Sequence, residues 1–435
     1  MRDCAFITFL SFTLFFSISE TSIFAQTTRR VPSQYPTIQA AIDATANGVT
    51  KPTDEIFTDV LTSLPIARLT AFAWGDYDND GDLDILFTGL TESSAITKIY
   101  RNDAGTFVDF IVPIQAVSEG SVTWGDYDND GDLDILLTGN NGTLENPSPV
   151  SIVYRNERGS FVDIGASLTG VFRSSVAWGD YDNDGDLDIL LTGESKAGFI
   201  SKIYRNDAGV FVDIADPILF GVRGSAVAWG DYDNDGDLDI LLTGSGFISK
   251  IYRNDNGSFF DIAAPLVGIG AGSVAWGDYD SDGDLDILMS GYSSGEIFKI
   301  YRNDKGSFVD VTGSLNNTIW GKALWGDYDN DGDLDILLIG AHVNGTQYSK
   351  IYRNDGGNFI DIAALLLGVR DGFAAWGDYD NDGDLDILLT GSSNKGPIAK
   401  IYQNNIGKPN TVCSSCEFSV CSSLPSALVC EGSPG

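Results

Sequence analysis

The string Asp76-Tyr77-Asp78-Asn79-Asp80-Gly81-Asp82-Leu83-Asp84 sets five carboxylates at alternate positions of nine residues. Like charges this close repel, so the arrangement is costly unless a cation neutralises it. Oxygen-only ligands select a hard cation, and a short loop suits Ca2+ better than strictly octahedral Mg2+. Gly81 permits the sharp bend that turns alternate side chains inward. On this chemistry positions 1, 3, 5 and 9 ligate by side chain and position 7 by its backbone carbonyl.

The string follows Trp-Gly and occurs seven times, beginning at Trp74, Trp124, Trp178, Trp229, Trp276, Trp325 and Trp376. The candidate metal-site residues are therefore Asp76, Asp78, Asp80, Asp82 and Asp84, then Asp126, Asp128, Asp130, Asp132 and Asp134. The third and fourth copies supply Asp180, Asp182, Asp184, Asp186 and Asp188, and Asp231, Asp233, Asp235, Asp237 and Asp239. The fifth supplies Asp278, Asp280, Asp282, Asp284 and Asp286, and the sixth Asp327, Asp329, Asp331, Asp333 and Asp335. The last supplies Asp378, Asp380, Asp382, Asp384 and Asp386. About seven Ca2+ ions, one per loop, are expected. An EF-hand is excluded because its bidentate Glu at position 12 is replaced by Phe87, Leu137, Leu191, Leu242, Met289, Leu338 or Leu389. Ser281 stands where the other copies have Asn, at a position that supplies no ligand.

These loops also explain the charge. The 435 residues carry a formal net charge of -36, yet seven copies of five aspartates take 35 of the 62 acids and leave 27 against 26 basic residues. The rest of the chain is nearly neutral. Such an acidic chain is a poor nucleic-acid binder, since phosphate contacts need Lys and Arg, and a poor candidate for an anionic membrane surface.

Positioning these loops requires a repeating scaffold. Successive repeat tryptophans are 50, 54, 51, 47, 49 and 51 residues apart, a period of propeller-type arrays. The fourth unit shows the strand signals: Ser225–Trp229, Leu238–Leu242, Lys250–Arg253 and Phe259–Ile262, with Asn254-Asp255-Asn256-Gly257 as a hairpin turn. Four antiparallel strands repeated seven times predict an all-β, seven-bladed β-propeller over residues 55–405. The last unit lacks its Phe-x-Asp strand, while Phe57-Thr58-Asp59-Val60 precedes the first. One N-terminal strand completing the last blade would pair its open edge and close the ring.

The repeated motif resembles the Ca2+ loop of the FG-GAP and VCBS repeat family, shared with the integrin α-subunit propeller. The resemblance covers roughly residues 55–405. It implies Ca2+ bound by the acids at positions 1, 3, 5 and 9 of the loop joining the first two strands of a blade. Integrins fill only some blades, whereas all seven loops are intact here.

Residues 1–25 read as an export signal, with Arg2, an apolar run from Ala5 to Ile18, and a cleavage site after Ala25. A secreted or surface protein is expected, with no membrane insertion after cleavage. Residues 26–54 form a linker in which Val31–Ile42 resembles the opening segment of secreted β-helix proteins of the pectin-lyase type. No β-helix coils follow. Residues 406–435 hold Cys413, Cys416, Cys421 and Cys430 and are expected to be a poorly ordered tail.

No catalytic set emerges. His342 is the sole histidine, the propeller lacks Cys, and the paired carboxylates are assigned to metal. A glycosidase role for Asp59 or Asp163 is weighed against a simpler one, in which the Asp of each Phe-x-Asp strand pairs with the Arg of the neighbouring Tyr-Arg-Asn. The favoured reading is a monomeric binding or adhesion module with an extracellular protein or glycan ligand. The alternative is a secreted polysaccharide lyase or hydrolase. Variable connections, such as the short Ser245-Gly246-Phe247 and the long Asn140–Ser151, should emerge opposite the metal loops. Arg68, Arg223 and Arg370, each six residues before a repeat tryptophan, would bring cations to that face for an anionic partner.

At Ca2+ tenfold above Kd each site contributes about 1.4 kcal/mol, or about 10 kcal/mol for seven, comparable with the whole stability of a domain. Chelation should therefore lower the melting temperature sharply. Superimposable thermal unfolding curves with and without EDTA would contradict the metal reading.

Overall fold

The computed structural model describes residues 56–406 apart from 61, 63, 314 and 316–318. The export signal, the linker and the cysteine-containing tail lie outside the described residues. Within them the chain is all-β, and 28 strands form seven four-stranded antiparallel sheets. In each blade the innermost strand ends at the repeat Trp-Gly and the second begins at the last aspartate of the acidic string, as in Arg68–Gly75 and Asp84–Leu90. The third strand carries Tyr-Arg-Asn, or Tyr402-Gln403-Asn404 in the last blade, and the outer one Phe-x-Asp, as in Ala95–Asp103 and Thr106–Phe110.

The second strands are continuous apolar runs because both faces are covered by neighbouring blades. Asp134–Asn140 is buried along its whole length. The core consequently sits between blades. One cluster joins Tyr77, Leu86 and Ile99 of the first blade to Trp124, Ile135, Leu137 and Phe161 of the second. Another joins Phe72 and Ile85 of the first to Leu388 and Ile401 of the last, which closes the circle.

The expected closure strand is present. Phe57–Val60 pairs antiparallel with Gly396–Asn404, in register from Phe57 opposite Asn404 to Val60 opposite Ile401. The Asn405 amide donates to the Ile56 carbonyl at 2.8 Å and extends the ladder. The last blade therefore has four strands from two distant parts of the chain, and no long outer edge is left open.

In the fourth blade the observed strands are Ala226–Gly230, Asp239–Gly244, Ile248–Asp255 and Ser258–Asp261. The third is longer than the Lys250–Arg253 signal because it pairs with Gly244 at one end and Ser258 at the other. Its turn residues Asn256 and Gly257 have φ of 52° and 83°, the left-handed pair that a two-residue hairpin turn requires.

One pairing differs from expectation. The Phe-x-Asp carboxylate meets a lysine, as in Lys202–Asp213 at 2.5 Å, Lys350–Asp361 at 2.6 Å and Lys400–Asp59. The arginine of Tyr-Arg-Asn binds the acid two residues on, as in Arg205–Asp207 at 2.6 Å. Strand parity is the cause. Asp213 lies opposite Tyr204 in register, so it shares a face with Lys202, and Arg205 points to the other face.

The repeat Trp-Gly-Asp-Tyr forms the seam between blades. Tyr77 stacks on Trp124 of the next blade, with centroids 6.0 Å apart and planes 8° from parallel, and Tyr127 does the same on Trp178. The glycine after each tryptophan makes room for the next indole: a Cβ on Gly125 would lie 2.5 Å from Trp178 Cδ1. Around the axis the inner strands leave a channel of about 590 Å3 lined largely by small residues such as Ser121, Ser175 and Ala226. Lys322 also faces it, its ammonium pushed down to about 8 by burial and lying 5.3 Å from the Phe373 ring centroid.

Gly125→Ala should overpack the seam and destabilise the protein by about 1–3 kcal/mol. A lowered denaturation midpoint with an unchanged slope is the expected result, and an unchanged midpoint would show that the seam tolerates a methyl group.

Candidate metal loops

Each acidic string forms the turn between the inner and second strands, and its side chains first serve the turn itself. In the first loop Asp76 accepts the Asp80 amide at 3.0 Å through Oδ1 and the Gly81 amide at 2.9 Å through Oδ2. Asp80 accepts the Asp82 amide at 2.9 Å. Gly81 has φ of 97° with nothing within 4 Å of a built Cβ, so backbone conformation rather than space calls for glycine.

Position 9 anchors the loop to the blade. Asp84 is fully buried, and its two oxygens accept the Tyr77 amide at 3.1 Å and the Asn102 amide at 2.8 Å. Burial pushes its carboxyl up to about 7, against the opposing pull of the Asn102 and Tyr77 amides. The other six position-9 aspartates show the same shift for the same reason. In the first six loops position 3 is also raised, first by burial and then by the neighbouring carboxylates, as for Asp78 beside Asp80 and Asp76. Asp329 reaches about 6.

The fold brings positions 1, 3 and 9 together. Oxygens of Asp76, Asp78 and Asp84 lie within 4.8 Å of one another, as do those of Asp126, Asp128 and Asp134, of Asp180, Asp182 and Asp188, and of Asp231, Asp233 and Asp239. In the fifth loop the grouped residues are Asp278, Asp280 and Asp282, which brings in position 5. At position 3 the Oδ1 atoms of Asp128, Asp182, Asp233 and Asp329 are buried without a hydrogen-bond partner among the described residues. A buried carboxylate oxygen with no donor is costly. A hard cation among these oxygens would remove that cost, so the donor set fits Ca2+.

Position 7 has a different task for its side chain. Asp132 Oδ1 accepts the Asn79 amide nitrogen of the preceding blade at 3.0 Å, and the same nitrogen donates to the Gly131 carbonyl at 3.1 Å. The clasp recurs from Asn129, Asn183, Asn234, Asn330 and Asn381, and the last reaches Asp82 across the ring closure. Asn79 has φ of 58°, a conformation asparagine tolerates better than most residues. From spacing alone this position is only a non-ligand. Its recurrence in six of seven copies was the available signal. Ser281 has no amide to donate, so the seam from the fifth to the sixth blade lacks the clasp.

The Tyr-Arg-Asn asparagine likewise has a role that spacing alone does not reveal. Asn102 is fully buried and donates to the Leu83 carbonyl at 3.1 Å and to Tyr379 of the previous blade at 2.7 Å. Its Oδ1 accepts the Gly105 amide, so one side chain joins the metal loop, the hairpin and the seam with the previous blade.

The three arginines are not equivalent. Arg68 and Arg370 open inner strands opposite Leu90 and Ser392, and Arg223 precedes one. Arg223 binds Glu194 at 2.6 Å and lies 4.8 Å from the Phe199 ring centroid. It shares a cavity with Arg173, not with Arg68 or Arg370. His342 is a loop residue, with Nδ1 2.6 Å from Glu296 Oε2 and its ring edge-on to Tyr348.

A propeller whose seven loops present recurrent carboxylate clusters is the class that fold and site define. The FG-GAP-like repeat family model matches residues 76–137, 126–191 and 327–389, and the chain carries repeats of this family. No curated protein matches it in sequence. Among solved structures, an Agrocybe aegerita lectin described as recognising non-reducing terminal N-acetylglucosamine is 18% identical, with a TM-score of 0.45 over 68% of this chain and 81% of that one. The Aleuria aurantia lectin with α-methyl-L-fucoside is 11% identical, with a TM-score of 0.40 over 68% and 96%.

Ser281→Asn should supply the missing clasp and stabilise the protein by about 0.5–1.5 kcal/mol, the net worth of a hydrogen bond. A chevron or equilibrium denaturation series would read the gain. No gain, or a loss, would show that the clasp contributes nothing at that seam.

Proposed function

We propose that the chain is an exported, non-catalytic binding or adhesion module in which about seven Ca2+ ions stiffen one end of the ring and the other end takes a protein or glycan ligand. The carrying observation is the set of buried position-3 carboxylate oxygens without a hydrogen-bond donor. In each loop the side chains at positions 1, 3, 5 and 9 would hold the ion, with the position-7 carbonyl. Bound Ca2+ supplies the positive charge that lets these clustered carboxylates stay ionised.

Topology supports placing the ligand at the end opposite the metal loops. Inner strands run toward the acidic loops, and the Tyr-Arg-Asn turns return to them, as the Ala104 amide does to Asp82 Oδ2 at 2.8 Å. The variable connections between second and third strands and between blades leave from the opposite end. Variable loops on a rigid scaffold are where recognition concentrates. The candidate glycosidase acids have ordinary structural partners: Asp59 pairs with Lys400, and Asp163 accepts the Gly165 amide at 2.7 Å.

Asp128→Asn should cost one bound Ca2+, measured as metal per chain after dialysis, and lower the melting temperature in Ca2+ but less so in EDTA. Unchanged metal content in this variant, or no Ca2+ in the parent protein, would remove the proposal.

A further inference from the structure

We propose that the depression over the third to sixth blades, at the end of the ring away from the acidic loops, binds a neutral saccharide. The proposal deepens the binding-module reading and rests on it. The cavity measures about 520 Å3, within the range of small-molecule sites, and is lined by Arg173, Arg223, Ser245, Phe247, Tyr292 and the exposed Val343 together with glycine and alanine.

Its apolar part is aromatic and uncovered. Phe247 is 51% exposed and Tyr292 40%, with ring centroids 6.1 Å apart and planes inclined at 59°, so the two rings form a corner. Phe247 also has φ of 57°, a left-handed conformation that is unfavourable for a bulky residue. Its carbonyl lies only 1.9 Å from where a Cβ on Gly268 would stand, so the loop is clamped against the next connection. A hydrophobic ring projected at conformational cost into an open cavity points to a partner with an apolar face.

The polar part is balanced in charge. Arg173 Nε meets Glu119 Oε2 at 2.6 Å, and its second nitrogen lies 3.6 Å from Glu194 Oε2, which Arg223 also contacts at 2.6 Å. Two guanidinium groups face two carboxylates, so the expected attraction of Arg223 for an acidic glycan is cancelled locally. A guanidinium carries five N–H donors in a fixed fork, and these ion pairs engage only part of that set. Fixed donors beside fixed acceptors suit the adjacent hydroxyls of a sugar, whose C–H face can lie on the aromatic corner.

The rim is preorganised and offers no edge to a peptide strand. The Arg173 amide donates to the Glu119 carbonyl at 2.5 Å, Gly224 to Arg173 at 2.7 Å and Ala271 to Gly224 at 3.2 Å. Ser245 donates to the Arg223 carbonyl at 3.0 Å. These backbone groups are already used between blades, so strand addition has no ladder to join, while a rigid site loses little entropy on binding a small ligand.

The test uses the full chain in saturating Ca2+, first on an array of neutral and acidic glycans with an extended-peptide library as comparison. Calorimetric titration with methyl glycosides of glucose, galactose, mannose and N-acetylglucosamine follows. Neutral sugars should bind, and Phe247→Ala, Tyr292→Ala and Arg223→Ala should each weaken binding at least about tenfold, as central contacts do. Phe247→Trp should retain it, and Arg68→Ala and Arg370→Ala should leave it unchanged. Melting temperatures would verify that these exposed substitutions leave the fold intact. Binding of acidic glycans or peptides alone, no binding of neutral sugar, or equal affinity in the cavity variants would overturn the saccharide site. Neutral-sugar binding that survives all three cavity variants would leave the broader binding-module reading standing. A parent protein that neither holds Ca2+ nor binds any array ligand would remove both.

Discussion

The aspartate that opens the second strand of every blade is buried, and its two oxygens accept amides from two different parts of the repeat. Asp84 holds the Tyr77 amide within its own loop and the Asn102 amide on the third strand. The first contact sets the loop from which Tyr77 reaches Trp124 of the next blade, and the second places Asn102 where it can donate to the previous blade. Loop, hairpin and both seams therefore depend on one carboxylate. Burial makes its charge expensive, a cost that a cation held by the neighbouring loop carboxylates would offset.

The same economy governs the charge of the molecule. A net charge of -36 on 435 residues is concentrated in seven loops at one end of a nearly neutral body. Seven Ca2+ ions, one per loop, would bring it to about -22, since each ion carries two charges. At the other end Arg173 and Arg223 are paired with Glu119 and Glu194. One end thus suits ion binding, and the other suits recognition by shape and hydrogen bonding.

Comparing the seven copies with their contacts separates two kinds of repetition. The aspartates at positions 1 and 5 repeat because the local turn needs their acceptors. The asparagine at position 4, the Trp-Gly pair and the asparagine of Tyr-Arg-Asn repeat because each blade must meet the next. The second kind was visible as recurrence but not as purpose, since the partners lie a blade or more away. Asn381 and Asp82 are 299 residues apart, yet they make the same contact as neighbours elsewhere in the ring.

By itself the sequence determined the period, the four strands per unit, the closure by Phe57–Val60 and the carboxylate cluster. Each of these is written in short-range spacing or in a segment missing from one end and present at the other. Tertiary structure alone decided which face each strand side chain takes, and so gave Asp213 to Lys202 rather than Arg205. It also decided that Arg223 stands with Arg173 instead of with Arg68 and Arg370, and that both guanidinium groups are neutralised. The physical reason is the same in each case. Spacing along the chain specifies a turn or a strand, whereas pairing across blades depends on strand parity and on the angular position of each blade in the ring.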